Sequence, residues 1–254
     1  MNLLAHRSPI IPRRAWSLLV LLASWQIASE TGLLPTRLLA SPYSILTTAA
    51  DLTLSGVLIW HLLVSLARVL VGMSLGLLIG GCLGLLSGLS RIGEDIVDPP
   101  LQALRTLPFL GLVPLLILWF GIGETPKIAL VALGALFPFY LNLSSGIRGV
   151  DPGQIDAGRA LGLAHTALIR HIILPGAMPQ ALVGLRQSIA MAWLSLVVAE
   201  QVNAGAGIGF LIADARDFLR TDVIVVGLLV YALLGLFSDA LVRGLERRAR
   251  PDQH

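Results

Sequence analysis

Charged side chains are scarce in this chain of 254 residues: they make up 13% of it, against 56% hydrophobic residues. A soluble domain carries roughly 25% charged residues to cover its surface. Together with a mean hydropathy of +0.83, this shortage excludes an ordinary soluble domain. It indicates a membrane protein whose main solvent is lipid.

The common catalytic and nucleotide-binding motifs are also missing. The only cysteine, Cys82, excludes a disulfide within the chain, and the only lysine, Lys127, follows a proline rather than a glycine-rich phosphate loop. No H-E-x-x-H, C-x-x-C or G-x-S-x-G occurs. His165 and His171 would point to opposed faces of a helix. We therefore predict no catalytic residue, no metal site and no cofactor. Because the arginines are dispersed and form no basic stripe, we also predict no nucleic-acid partner.

Long apolar runs are what the chain has instead, and they predict an all-α, polytopic membrane protein. Six transmembrane helices are expected at about 15–33, 62–88, 101–120, 128–147, 176–200 and 222–242. Four prolines interrupt the third of these, so we expect it to be kinked or to begin at the surface. The N-terminal pattern also fits a secretory signal, but the further spans favour a first transmembrane helix.

The basic residues predict the orientation. With an even number of spans, eleven fall on one side: Arg7, Arg13, Arg14, Arg91, Arg148, Arg159, Arg170, Arg243, Arg247, Arg248 and Arg250. Four fall on the other: Arg37, Lys127, Arg216 and Arg220. Because cytoplasmic loops are enriched in arginine and lysine, we expect both termini and residues 148–175 in the cytoplasm.

Glycine recurs every four residues in the second predicted span, at Gly72, Gly76, Gly80, Gly84 and Gly88. Repeated G-x-x-x-G spacing produces a smooth stripe that a neighbouring backbone can approach closely. The alternative is a strip that lines a pore, but bare glycines offer a substrate no polar side chain. We therefore predict that the stripe is a helix-packing surface.

Four ionisable residues fall near membrane depth: Glu30, Arg68, Arg186 and Glu200. Such residues either line a transport path or sit at span ends and reach the interface. Glu30 and Glu200 lie near predicted outer ends, so we predict that they reach the interface. Arg186, about ten residues into its span, is the candidate for a translocation path.

A charged segment at 151–175 interrupts the apolar runs. Asp151 and Pro152 fit the N-cap and first position of a helix. The polar face of that helix would hold Asp156, Arg159, Gly162, Thr166 and Arg170, and the apolar face Leu161, Ala164, Leu168 and Ile172. We expect a break at Gly162 and an end at Pro175. A helix lying on lipid is the alternative, but the mixed charges favour a protein partner.

The spacing of this segment resembles the "EAA" loop of permease subunits in binding-protein-dependent ABC importers. That motif reads E-A-A, three residues, G, nine residues, I-x-L-P. The matching positions here are Asp156, Ala157, Gly158, Gly162, Ile172, Leu174 and Pro175. Asp156 replaces the glutamate. Gly158 replaces the second alanine, at a cost of about 1 kcal/mol in helix propensity.

Further stretches resemble the alkanesulfonate, taurine and nitrate branch of the same family. They are "SLARVLVGMSLG", "LRTLPFLGLVPLLILWFGIGE", "LPGAMPQALVGLRQSIAMAWLSLVVAE" and "GIGFLI". The resemblance covers residues from about 62 to 242. It implies a tail, first helix and outer loop at 1–61, a permease domain at 62–245 with the EAA-type loop, and a cytoplasmic tail at 246–254.

The resemblance implies a permease subunit with a type I ABC importer-like fold in a bacterial plasma membrane. It would pair with a second copy of itself, and two cytoplasmic ATPase subunits would grip the EAA-type loop. An extracytoplasmic solute-binding protein would deliver a small organic anion such as a sulfonate, taurine or a nitrate-like solute. The rivals are an ion-driven secondary transporter and an intramembrane enzyme, which would need clustered polar sites that the sequence does not offer.

Overall fold

A computed structural model describes residues 13–108 and 111–249. It contains α1 (Arg13–Glu30), α2 (Pro42–Leu54), α3 (Val57–Leu89), α4 (Arg91–Arg105), α5 (Leu112–Phe120), α6 (Glu124–Arg148), α7 (Pro152–Ala160), α8 (His165–Leu168), a π-helical turn (Ile169–Ile173), α9 (Leu174–Asn203), α10 (Ile208–Asp217) and α11 (Thr221–Ala249). Across these two ranges there is no β-strand, so the all-α prediction is confirmed.

Four helices are long and apolar enough to cross a membrane, by length and composition: Val57–Leu89, Glu124–Arg148, His165–Val202 and Thr221–Gly244. The two other predicted spans do not meet that description. The helix α1 has 18 residues, three of them charged. The third predicted span is not one helix, because α4 ends at Arg105 and α5 begins only at Leu112. Pro108, which has no backbone N–H to donate, lies in the interval between them.

The centre of the molecule is the contact between α3 and α6, and the glycine stripe makes it. A Cβ at Gly80 would lie 2.7 Å from the Leu136 carbonyl oxygen, and one at Gly88 would lie 2.8 Å from the Ile147 Cβ. Glycine is needed at these positions because the α6 backbone and side chains occupy the space of a side chain. The predicted packing role of the stripe is confirmed.

Helix α9 covers the other side of α6 and completes a three-helix core. Val69, Val131, Ala135, Ala192 and Leu196 from α3, α6 and α9 form one buried apolar cluster. Small residues again allow close approach, since Ser188 on α9 donates its hydroxyl proton to the Ala135 carbonyl oxygen at 2.7 Å. The shorter helices and α11 pack around this core. Polar groups lie at its two ends.

Pro175 does not end a helix, contrary to expectation. Residues from His165 to Asn203 form a continuous helical run, with one π-helical turn at Ile169–Ile173 just before the proline. In that turn the Leu174 N–H bonds to the Ile169 carbonyl, five residues back. The wider turn changes the hydrogen-bond register where Pro175 has no N–H, so the chain passes the proline without breaking.

Candidate functional site

The charged segment forms a short helix, α7, whose two ends are capped. The Asp151 carboxylate accepts a hydrogen bond of 2.9 Å from the Gly153 N–H, as its predicted N-cap role requires. At the other end Gly162 has φ +80°, a left-handed conformation that favours glycine. The Gly162 N–H bonds to Arg159 O at 2.9 Å and the Leu163 N–H to Gly158 O at 3.1 Å. This pair is the Schellman arrangement, and it confirms the predicted break at Gly162.

Helix α7 folds back onto the start of the next helical run, so residues 151–175 are a helix–turn–helix and not one amphipathic helix. Gly158 is buried at the contact. A Cβ there would lie 2.5 Å from Ile172 Cδ1 and 2.7 Å from Leu168 Cδ2. An alanine at position 158 would require the ends of these two side chains to move. The apolar face predicted for a single helix is divided, because Leu168 is buried whereas Leu161 is 83% exposed.

The exposed end of α7 presents a small mixed surface, which we name the α7 tip: Asp156, Arg159, Leu161 and Gly162. Asp156 and Arg159 form an ion pair of 3.1 Å, as their spacing predicts, with side chains 71% and 65% exposed. A pair this exposed contributes little to stability, about 0.5 kcal/mol. The ion pair and Leu161 are therefore accessible at the surface of the subunit.

Polar contacts fasten the base of this segment to the membrane helices. Arg148, at the end of α6, pairs with Glu94 on α4 at 2.7 Å and lies 3.7 Å from Asp98. Asp98 accepts a hydrogen bond of 2.8 Å from Ser87 near the end of α3, and it also contacts the Tyr140 hydroxyl. A displacement of the segment after Arg148 would therefore act on α3, α4 and α6 together.

A second cluster lies at the opposite end of the bundle, centred on the buried carboxylate of Glu200. It accepts hydrogen bonds from Arg68 Nη1 at 2.7 Å, Ser65 Oγ at 2.9 Å, the Gly209 N–H at 2.8 Å and the Tyr231 hydroxyl at 3.2 Å. The prediction that Glu200 reaches the interface is wrong. Its side chain is fully buried, because these four donors from α3, α10 and α11 replace water around it.

Arg68 extends this cluster to α6. Its guanidinium donates to both carboxylate oxygens of Glu124, at 2.6 and 2.8 Å, and to the Ala206 carbonyl at 2.5 Å. Lys127 also bonds to Glu124, at 2.9 Å. Two buried cations are thus balanced by two carboxylates, of which only Glu124 has an exposed side chain. We name Arg68, Glu124, Lys127 and Glu200 the Glu200 ion network.

The Glu200 ion network and two polar neighbours on α3, His61 and Ser65, hold the loop before α10. His61 Nδ1 accepts from the Gly207 N–H at 2.9 Å, and Ser65 Oγ accepts from the Ile208 N–H at 2.8 Å. His61, Ser65 and Arg68 share one face of α3, at spacings of four and three residues. That spacing of polar residues inside an apolar helix was the signal in the sequence that could have located the site.

Arg186, the sequence candidate for a translocation path, lies on α9 with its side chain half exposed. Its Nε is 2.5 Å from a carboxylate oxygen of Asp239 on α11, and Asp239 also pairs with Arg243. The structure thus gives Arg186 a countercharge on a neighbouring helix. A role in the path stays a prediction for this residue.

Comparison with known proteins identifies the family. The family described as "binding-protein-dependent transport system inner membrane component" matches residues 72–251. The putative aliphatic sulfonates transport permease protein SsuC of Escherichia coli K12 is 49% identical over 89% of this chain and 86% of its own length. The taurine transport system permease protein TauC of the same strain is 34% identical over 92% and 87%. The nitrate import permease protein NrtB of Synechocystis is 32% identical over 96% and 91%.

Solved structures share the fold. A chain in the crystal structure of an amino acid ABC transporter aligns with a TM-score of 0.66 at 21% identity, over 78% of this chain and 97% of its own. A chain of the methionine ABC transporter MetNI, in an inward-facing conformation, aligns with a TM-score of 0.57 at 20% identity, over 71% and 92%. The predicted type I ABC importer-like fold is confirmed.

Fold and site together define a multi-pass membrane transport subunit. The chain belongs to the family of binding-protein-dependent transport system inner membrane components, and it is a permease subunit of an ABC importer. The resemblance to the sulfonate, taurine and nitrate branch is confirmed. Membership of this family also means an inner-membrane location and a partnership with an ATPase and a binding protein.

Proposed function

We propose that this chain imports a small organic anion, with an aliphatic sulfonate the first candidate, and that the α7 tip couples it to a separate ATPase subunit. The complex would hold two copies of the permease, two cytoplasmic ATPase subunits and one extracytoplasmic binding protein. The substrate class is supported by two relatives of 49% and 43% identity, both putative aliphatic sulfonates transport permeases.

The coupling proposal rests on α7. This helix is exposed, is capped at both ends and lies within the EAA-type spacing. Its tip offers a partner a fixed shape, because Asp151 caps one end and the Gly162 turn the other. Force applied there would pass through the packing of Gly158 on Ile172 into α9. Closure of the ATPase subunits would then rock α9 and the core helices, in a two-state change of access.

Gly162→Val is expected to abolish transport and to weaken retention of the ATPase. A β-branched side chain is strained at φ +80°, so the Schellman turn and the shape of the α7 tip would be lost. No atom of the described residues outside the immediate neighbours lies within 4 Å of a Cβ at this position, so the effect would not come from a clash with them. The measurement is uptake by cells, together with the amount of ATPase that copurifies.

Gly162→Asn is the matched control, because asparagine adopts the left-handed conformation far more readily than valine. It should retain most of the transport and most of the bound ATPase. Both variants should insert in the membrane at the level of the unchanged protein. Equal transport and equal ATPase retention by Gly162→Val would show that the α7 tip is not the coupling element.

We also propose that both termini and the α7 tip face the cytoplasm, since the excess of arginine supports that orientation. His165→Cys, in a Cys82→Ala background, is expected to resist a membrane-impermeant thiol reagent in intact cells and to react once the membrane is opened. The background change is needed because Cys82 is itself exposed.

Arg216→Cys is the control on the opposite side. Its side chain is 65% exposed, at the end of α10, and it should be labelled in intact cells. Labelling of position 165 and protection of position 216 would reverse the orientation.

A further inference from the structure

A cavity of about 510 Å³ opens between the α4–α5 interval, α6 and α9. Most of its wall is apolar, from residues such as Leu104, Phe137, Leu141 and Met191, and two of its lining residues are strongly polar, Arg105 and Gln187. Its volume falls within the range of small-molecule sites, about 300–1,000 Å³. An apolar cavity with few polar groups is typical of a site that orients one amphipathic ligand.

The cavity lies near the middle of the membrane-spanning bundle. Phe137 and Leu141 are central in α6, which runs from Glu124 to Arg148. Arg105 ends α4, about halfway along the stretch that connects the end of α3 at Leu89 to the start of α6. Helices that break at membrane depth are tolerated only where the interrupted backbone is buried in protein or lines a water-filled cavity. The cavity beside Arg105, where α4 ends, supplies surroundings of the second kind.

A row of side-chain amides leads along the same face to the cavity. Gln180 donates to Asn142 Oδ1 at 2.7 Å, and Asn142 donates to Gln187 Oε1 at 3.0 Å. All three residues belong to α9 or α6 and have accessible side chains in the subunit. Amides facing hydrocarbon would be costly, so the row indicates a hydrated strip that ends at the cavity.

Arg105 is the one charged residue of the cavity wall, and it has no countercharge there. Among residues 13–108 and 111–249, its guanidinium has neither an ion pair nor a hydrogen bond. Arg186, by contrast, lies 2.5 Å from Asp239. A charged arginine at membrane depth is unfavourable in free energy unless an anion or water contacts its guanidinium. The five N–H donors of Arg105 are thus available to an anionic ligand.

We propose that Arg105 and Gln187 bind the anionic head of an alkanesulfonate in this cavity, while Phe137, Leu141 and Met191 contact its alkyl chain. The proposal rests on the proposed function and names the residues that would recognise the substrate during its passage. The sulfonate oxygens would accept from the guanidinium and from the Gln187 amide N–H groups. The apolar wall would add affinity with each methylene that it removes from water.

Arg105→Gln is expected to weaken alkanesulfonate binding about tenfold to a hundredfold, the worth of hydrogen bonds to a charged group. The probes are butanesulfonate and hexanesulfonate added to the purified permease in nanodiscs, with binding read as a rise in unfolding temperature. For the unchanged protein we expect hexanesulfonate to bind more tightly than butanesulfonate, and hexanol, which has no charge, to bind weakly. Uptake of both sulfonates by cells with the complete transporter is measured in parallel.

Two further variants make the test specific. Arg105→Lys keeps the charge and should restore part of the binding, although a lysine cannot reproduce the fork of guanidinium donors. Arg91→Gln removes an exposed arginine from the other end of the same helix and should bind like the unchanged protein. All variants should share one unfolding temperature without ligand, because neither arginine has a bonding partner among the described residues.

The outcomes separate the site from the substrate class. Binding and uptake that are equal in Arg105→Gln and in the unchanged protein would overturn the site while the proposed import of sulfonates stands. Uptake by the unchanged transporter without any measurable binding to the permease would also overturn it. If the unchanged transporter takes up no sulfonate at all, the proposed substrate class fails and the site fails with it.

Discussion

Glu200→Ala is expected to lower the free energy of unfolding by about 3–5 kcal/mol, because removing one partner of a buried ion pair leaves the other charge without compensation. Arg68 would remain buried with only Glu124 to balance both it and Lys127. The Gly209 N–H and the Ser65 hydroxyl would lose their acceptor at the same time. In a protein of this size the fall in unfolding temperature would be on the order of 10 °C.

The effect of Glu200→Ala should be local as well as global. The loop before α10 is held by Glu200, Ser65, His61 and Arg68, so its amides should exchange with deuterium faster than in the unchanged protein. Thermal unfolding and hydrogen exchange of the purified protein measure the two effects.

Glu124→Gln is the matched control within the Glu200 ion network. The Glu124 side chain is 57% exposed, so water can replace part of the hydrogen bonding that the carboxylate gives to Arg68 and Lys127. We therefore expect a clearly smaller loss of stability. An unfolding temperature of Glu200→Ala equal to that of Glu124→Gln, with unchanged exchange before α10, would contradict the importance assigned to the buried carboxylate.

Much of the fold was predictable because hydropathy and lipid constrain helices strongly. The span expected at 62–88 is α3 at Val57–Leu89, and the one at 128–147 is α6 at Glu124–Arg148. The third expected span shows the limit of that reasoning. Its apolar composition did not indicate that α4 would end at Arg105 and α5 would begin at Leu112, since the place of a helix end at this depth depends on neighbouring helices that shield the free backbone groups.

The two ends of α7 were predictable, but the path of the chain after α7 was not. Local chemistry determines an N-cap at Asp151 and a left-handed turn at Gly162, so a single sequence sufficed for both. The fold-back of α7 depends on contacts of Gly158 with Leu168 and Ile172, which a helical-wheel projection of one straight helix cannot contain. The π-helical turn before Pro175 likewise has no composition that distinguishes it from a helix end.

The position of Glu200 was not predictable from its place near a span end. Its partners Ser65 and Arg68 lie 135 and 132 residues away along the chain. Only the docking of α9 on α3 brings these groups together. An ionisable residue at the end of a span is equally compatible with the interface and with a buried network, until the partners are known.

Gly76→Leu is expected to prevent normal assembly of the core, because the α3–α6 contact at this position is made by backbone. A Cβ at Gly76 would overlap the Ala132 carbonyl oxygen and would lie 2.9 Å from the Ala135 Cβ and 3.1 Å from the Ala132 carbonyl carbon. Overpacking a core commonly costs about 1–3 kcal/mol, when side chains can move aside. Here two helix backbones would have to separate, so we expect the upper end of that range or more.

The measurement is the amount of monodisperse protein recovered from membranes and its unfolding temperature. Gly235→Leu is the matched control, since Gly235 lies within α11 and, in the part of the chain that the structure describes, no atom from another element comes within 4 Å of a Cβ there. Both changes add the same apolar side chain and the same gain in helix propensity to a membrane helix. We expect Gly235→Leu to resemble the unchanged protein. Gly76→Leu protein recovered in normal amount, with an unchanged unfolding temperature and transport, would mean that α3 and α6 do not approach each other as closely in the membrane as this packing requires.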